Sequence, residues 1–311
     1  MNVRLMPLAL TLAGALVAAA CTSAAATTGA RTASGHPVGP AATASRIKEL
    51  GVYEPGVPKS YKPVETFAHA VGRQPNIVQY YSGWWEPFRA GFARTAHSHG
   101  ATVFVDIDPY GVPVAGIAAG DNDVYLNNFA TAVHKFGHRV IISFGHEPNG
   151  KWYPWGYTHT KAATWVAAWR HIVTVFRAAG ATNVTWLWIV NRQAAGEGAI
   201  RSWWPGGSYV TWAGIDGYYE KKGQTFPIVF NPTISAIRRL TKKPILISET
   251  AIGQTAGKAA KIPGLFRGIR AHHLLGLVWF DQHQRAGSHH QNWRLEDSRA
   301  AVTAFRRGLR G

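Results

Sequence analysis

The sequence predicts a single (β/α)8 barrel, an α/β fold, and three observations predict it. Eight short apolar runs rich in β-branched residues recur along the chain, each the length of a strand buried on both faces. Helical stretches separate them, the alternation expected of a parallel sheet wrapped in helices. Residues 45–311 show no linker-like break in composition, so the eight units form one domain. An open doubly wound sheet is the competing architecture. It would bring a glycine-rich phosphate turn after the first strand, where this chain has Glu54-Pro55-Gly56-Val57-Pro58.

The residues ahead of the domain have another character. Leu5 to Ala20 form an apolar run behind Arg4, too short for a comfortable membrane span and placed like an export signal. Cys21 follows directly, behind small residues, in the manner of a bacterial lipidation site. It is the only cysteine, which excludes an internal disulfide and a thiolate metal site. Residues 1–21 are therefore read as a signal segment. Residues 22–44, rich in Ala, Thr, Ser and Gly, are read as a flexible tether. The expected location is outside a bacterial cell, either released or attached to the membrane through a lipidated Cys21.

Within the domain, strands are expected at Leu50–Tyr53, Asn76–Tyr81, Thr102–Ile107, Val140–Phe144, Val184–Val190, Trp212–Gly217, Ile245–Ser248 and Leu275–Phe280. Helices are expected at Val64–Val71, Pro87–His99, Asp123–Phe136, Thr160–Ala179, Ile228–Leu240, Gly257–Ala271 and Ser298–Leu309. Asn231-Pro232-Thr233 interrupts the fifth of these and predicts that it starts near Pro232, with Asn231 as its cap.

Chemistry concentrates behind the fourth strand, at Gly145-His146-Glu147-Pro148-Asn149-Gly150-Lys151-Trp152-Tyr153-Pro154-Trp155-Gly156. A carboxylate beside a histidine and an amide, followed by aromatic rings, has the composition of a sugar site: rings stack on the C–H faces of pyranoses and polar tips fix the hydroxyls. A second apolar strand, Pro244 to Ser248, ends in Glu249. In a closed barrel reactive groups sit at the C-terminal strand ends, and strands four and seven face each other across the mouth. Two carboxyls so placed suggest glycoside hydrolysis.

These stretches resemble glycoside hydrolase family 26, a family of retaining (β/α)8 glycosidases whose commonest substrate is β-1,4-mannan. His146-Glu147-Pro148-Asn149-Gly150 with Trp152-Tyr153-Pro154-Trp155-Gly156 is similar to its acid/base motif, Trp212 to Tyr218 to its strand-six signature, and Ser248-Glu249-Thr250 to its nucleophile strand. The resemblance implies Glu147 as general acid/base and Glu249 as nucleophile. It implies that His146 hydrogen-bonds near the cleavage subsite, that Tyr218 holds Glu249, and that Trp152, Trp155 and Trp279 form sugar-stacking walls. Asn149, Asp106 and Trp85 complete the expected substrate contacts. The implied partner is a β-linked polysaccharide: mannan first, then mixed-linkage β-1,3-1,4-glucan or β-1,3-xylan. A barrel that binds polysaccharide without turnover is the reading from another class.

The remaining candidates carry less. Asp216 is expected inside the barrel or pinning a loop, and Asp281 and Glu86 either on substrate hydroxyls or in surface ion pairs. The histidines His272, His273, His283, His289 and His290 match no compact zinc spacing, so no metal and no cofactor are expected. Lys and Arg number 33 against 16 Asp and Glu, a net charge of +17. The densest basic pairs, Arg238-Arg239, Lys242-Lys243 and Arg306-Arg307, are scattered rather than interleaved with aromatics, so no nucleic-acid partner is expected. A monomer is expected.

Overall fold

A computed structural model describes residues 47–194, 198–283 and 290–311. The expected signal segment, tether and Cys21 lie outside the described residues, as does His289. Among the described residues no helix is long and apolar enough to cross a membrane.

The eight strands are β1 (Glu49–Tyr53), β2 (Ile77–Gly83), β3 (Thr102–Asp108), β4 (Val140–Phe144), β5 (Val184–Asn191), β6 (Trp212–Asp216), β7 (Ile245–Thr250) and β8 (Gly276–Phe280). All pair in parallel and in order, and β1 closes on β8, so the barrel has no free edge. Around it run α1 (Lys62–Val71), α2 (Ala90–Ser98), α3 (Val114–Ala119), α4 (Asp123–Phe136), α5 (Ala162–Ala178), α6 (Phe226–Leu240), α7 (Lys258–Ala271) and α8 (Arg299–Arg310). The eight-unit barrel predicted from strand count is the observed fold.

Two details differ from expectation. The six-residue α3 lies in a stretch that predicted no helix. And α6 runs from Phe226 straight through Pro232 instead of starting there. Pro227 occupies the first turn, where its missing N–H costs nothing. Val229, Phe230, Thr233, Ile234 and Ile237 are buried, and burying that face offsets the amide lost at Pro232.

Strand alternation divides the interior into two compartments. One set of side chains, including Ile77, Phe104, Ile141, Leu187, Ile189, Leu246 and Val278, fills the barrel itself. The other set packs outward against the helices, in one continuous cluster with residues such as Trp165, Trp169, Trp186, Phe266 and Phe305. Past the apolar layer, the inward positions turn polar toward the C-terminal strand ends: Gln79 and Tyr81 follow Ile77, and Asp106 and Asp108 follow Phe104. The apolar plug holds the barrel together, and the polar layer above it is free for chemistry.

Candidate active site

Glu147 reaches this polar layer through a turn that strand geometry alone would not make. Behind β4 both Gly145 and Glu147 adopt left-handed backbone, each with φ 50°. At Gly145 a Cβ would lie 3.0 Å from Trp165 Nε1 and 3.2 Å from Trp155 Cδ1, so the first reversal needs glycine. At Glu147 the conformation is uncommon for a side-chain-bearing residue and marks a place where surrounding contacts enforce it. Those contacts are visible. Trp165 Nε1 donates to Gly145 O at 3.2 Å, Trp155 Nε1 to His146 O at 2.7 Å, and Glu147 N to Ile189 O at 3.3 Å. The exposed Trp152 then folds back and donates from Nε1 to Glu147 Oε2 at 2.8 Å. Its ring crosses Gly150, where a Cβ would stand 2.4 Å from Trp152 Cζ2.

Glu249 is aimed by a register shift. Counting inward from Leu246, alternation makes Ser248 the lumen residue and turns Glu249 away. The β6–β7 pairing slips between Ile215 and Asp216, and the β7–β8 pairing slips between Ile247 and Thr250. The irregularity lets Ser248 and Glu249 both face inward. Ser248 Oγ donates to Asp216 Oδ1 at 2.6 Å. Glu249 Oε2 accepts from Tyr218 Oη at 2.6 Å, while Oε1 accepts from Gln79 Nε2 at 3.2 Å and from Tyr81 Oη in a very short hydrogen bond.

The electrostatics follow from this burial. Glu249 is held above the ordinary 4.5, first by burial, against which the charge of His146 and the Tyr218 and Tyr81 hydrogen bonds pull down. Asp216 lies well above its ordinary 3.8, through burial and then the charges of Glu249 and Glu147. Tyr81 and Tyr218 are pushed well above 10 by burial and by Glu249, which keeps them protonated donors.

The predicted site residues divide accordingly. Glu147, Glu249, His146 and Tyr218 meet in the lumen, and Trp152 stands at its rim beside Glu147. Trp85, half exposed with φ 74°, and Tyr110 also present ring surface on the loops behind β2 and β3. Four expected sugar contacts need correction. Trp279 is fully buried on the outward side of β8, edge-on to Phe305, with Nε1 donating to Asp281 at 3.1 Å. Trp155 is also fully buried and stacks on Tyr153 at 4.6 Å between centroids, so it props the β4 turn. Asn149 is buried and clamps Asn191: its Oδ1 accepts from Asn191 N at 2.9 Å and its Nδ2 donates to Asn191 O at 3.1 Å. Asp106 is buried beneath His146 at 3.6 Å. Asp281 is buried and accepts from Leu295 N at 2.6 Å, and Glu86 sits in an exposed ion pair with Arg89 at 3.1 Å.

Sequence reasoning passed over Gln79, Tyr81 and Tyr153, and also Phe280, which stacks on Tyr53 at 4.6 Å and meets Tyr218 edge-on. Alternation supplied the missing signal for most of them: Gln79 and Tyr81 share the inward parity of Ile77, and Phe280 that of Val278.

Among the described residues two groups bring metal-ligand types together. In Asp106–Asp108–His146 both ring nitrogens are already engaged, Nδ1 by Asp108 Oδ1 at 3.0 Å and Nε2 by Tyr153 Oη at 2.8 Å. In Glu54–Asp281–Glu296, burial and the neighbouring carboxyls push Glu54 up to about 10 and Asp281 well above 3.8, the behaviour of acids that share protons.

A closed (β/α)8 barrel carrying one buried carboxyl behind β4 and another on β7 defines the class of barrels built around a carboxyl pair. The sequence places the chain within that class: residues 124–287 match the pattern of Glycosyl hydrolase family 26, and the chain belongs to that family. Over 271 residues it is 29% identical to Endoglucanase H of Acetivibrio thermocellus, a match covering 82% of this chain and 29% of that protein. The chain thus spans under a third of the length of this curated relative. In fold it is similar to the catalytic domain of an endo-beta-1,4-mannanase from Bacillus sp. JAMB-750, with TM-score 0.67, 17% identity and 86% of each chain covered. It is also similar to a double mutant of an endo-beta-1,4-mannanase from Cellulomonas fimi, with TM-score 0.64, 15% identity, and 85% and 71% covered.

Proposed function

We propose that this chain is a retaining endo-β-glycosidase that acts on a β-linked polysaccharide. The observation that carries the reading is the shared lumen of Glu147 and Glu249, whose charges both bear on Asp216 and Tyr153, with Glu249 held by three donors. Protonated Glu147 gives its proton to the glycosidic oxygen as that C–O bond breaks. The Glu249 carboxylate bonds to the anomeric carbon, forming a glycosyl ester. Water then attacks the same carbon, loses its proton to the Glu147 carboxylate and frees Glu249. Two inversions leave the configuration retained. Trp152, Trp85 and Tyr110 line the path for the polymer at the rim.

β-1,4-Mannan is the first substrate, as the family resemblance implies. The endoglucanase relative favours a second, a β-glucan such as the mixed-linkage polymer. Reducing-sugar release from mannan, lichenan and xylan separates the two, and NMR of the first anomer released reports the stereochemistry. Activity unaffected by Glu147→Ala or Glu249→Ala, or a first product of inverted configuration, would defeat the mechanism. Binding without release across the panel would make the chain a polysaccharide-binding barrel. Export through the segment 5–20 belongs to the same reading. Mass spectrometry of the mature N-terminus tests it, since lipidation adds acyl mass at Cys21 and simple secretion removes the residue.

A further inference from the structure

We propose that Asp108, with Asp106 beside it, is a positioning residue that holds His146 as an imidazolium, a fixed positive charge inside the carboxyl-lined lumen that keeps Glu249 ionised. The inference rests on the catalytic reading for its consequence and on geometry for its cause. Asp106 and Asp108 share the inward face of β3, so both project toward the β4 turn. His146 is buried against them, with Nδ1 3.0 Å from Asp108 Oδ1 and 3.6 Å from Asp106 Oδ1.

A neutral ring can satisfy Asp108 and Tyr153 by donating from Nδ1 and accepting at Nε2. It gives an ionised Asp106, 3.6 Å away, no opposite charge. Asp106 is fully buried, and burial raises its pKa; the His146 charge first, then hydrogen bonds from the His146 and Ser143 side chains, pull it back down. An imidazolium answers both carboxylates and donates from Nε2 to Tyr153 Oη at 2.8 Å.

The surroundings on every side are acidic or phenolic. The carboxyls are Asp106 and Asp108 from β3, Glu147 behind β4, Asp216 on β6 and Glu249 on β7. The phenols are Tyr81 on β2, with its ring 5.7 Å from His146, Tyr153, and Tyr110 behind β3. Burial opposes charge on the ring, yet Tyr153, Asp106 and Asp108 outweigh it and lift His146 well above its ordinary 6.5. Tyr153 is itself held well above 10 by burial, so its hydroxyl serves the ring as a hydrogen-bond partner, and the aspartates are the carboxyl groups that face Nδ1. In turn, the His146 charge pulls down both Glu249 and Asp216. Losing it raises the Glu249 pKa, and the acidic limb of activity must then move to higher pH.

Long-range 15N NMR of the unliganded protein, with His146 assigned by difference from His146→Gln, reads the ring directly. Both nitrogens are expected to be protonated at pH 7. In Asp108→Asn the ring is expected to lose a proton between pH 5 and 8. The acidic limb of kcat/KM is expected to rise by about one pH unit, a further roughly tenfold loss on the acid side. A neutral ring in the unmodified protein at pH 7 overturns the proposal. So does an Asp108→Asn profile that matches the original shape after scaling, the result a merely structural role would give. The NMR measurement needs no substrate, so it decides on the imidazolium even if no polysaccharide is cleaved.

Discussion

The two sides of the lumen hold their glutamates by different means. Glu249 projects from a strand, and its two oxygens accept from Tyr218 behind β6 and from Gln79 and Tyr81 on β2. Those donors stand on or beside barrel strands, so the carboxylate has little freedom. Glu147 stands on a left-handed turn whose carbonyls are pinned by buried indoles, and it meets a half-exposed Trp152 that belongs to the same loop. The contrast suits the two roles proposed for them. A nucleophile must stay ionised and aimed, which fixed donors achieve. An acid/base must exchange its proton with substrate and water, which needs access from the rim.

That comparison breaks most sharply if either carboxyl proves dispensable. Glu249→Ala is expected to lower kcat by more than roughly 10⁴-fold, whatever the leaving group, since no covalent intermediate can form. Glu147→Ala is expected to cost roughly 10²–10⁴-fold on polysaccharide. On an aryl glycoside with a good leaving group its first step is expected to survive, and the second step to recover with added azide, visible as a glycosyl azide product. Rescue that followed the same pattern in both variants would erase the distinction between the two sides.

Tyr218→Phe sharpens the comparison at the next level. It removes a 2.6 Å charge-assisted hydrogen bond, worth about 1.5–3 kcal/mol, so kcat should fall roughly ten- to hundredfold. Because that bond favours the ionised form, its loss raises the Glu249 pKa further and shifts the acidic limb of kcat/KM upward. A pH profile unchanged in shape would mean that Tyr218 does not bear on the nucleophile.

The sequence made the two glutamates easier to find than their neighbours, for physical reasons. A strand buried on both faces writes a continuous apolar run, so all eight could be counted. The same continuity hides which side chain faces the lumen. Trp279 illustrates the cost: counting parity from Val278 and Phe280 turns it outward, onto α8, yet the family resemblance implied a sugar wall there. Glu249 is the opposite case, because parity from Leu246 turns it away and only the register slip returns it. Trp152 and Trp155 share a loop with no period to read, and which of the two is exposed depends on packing against α5 and the β4 turn. Pro232 was misread as a start because the burial of its helix is a tertiary fact.

The smallest expected effect tests the loop side alone. Trp152→Phe keeps a ring at the rim and removes the N–H that donates to Glu147 Oε2 at 2.8 Å. A donor on one oxygen stabilises the carboxylate, so its removal makes the proton of Glu147 harder to give up and easier to retain. The basic limb of kcat should then move to higher pH, while kcat at the optimum falls only several-fold and KM changes little. A rise in KM with kcat unchanged would instead assign Trp152 to sugar stacking. Gly150→Ala separates the two further, because a Cβ there lies where the indole now rests and displaces ring and N–H together. If the phenylalanine variant shifts the pH limb and the alanine variant adds a loss in KM, the indole serves the acid through its nitrogen and the polymer through its face.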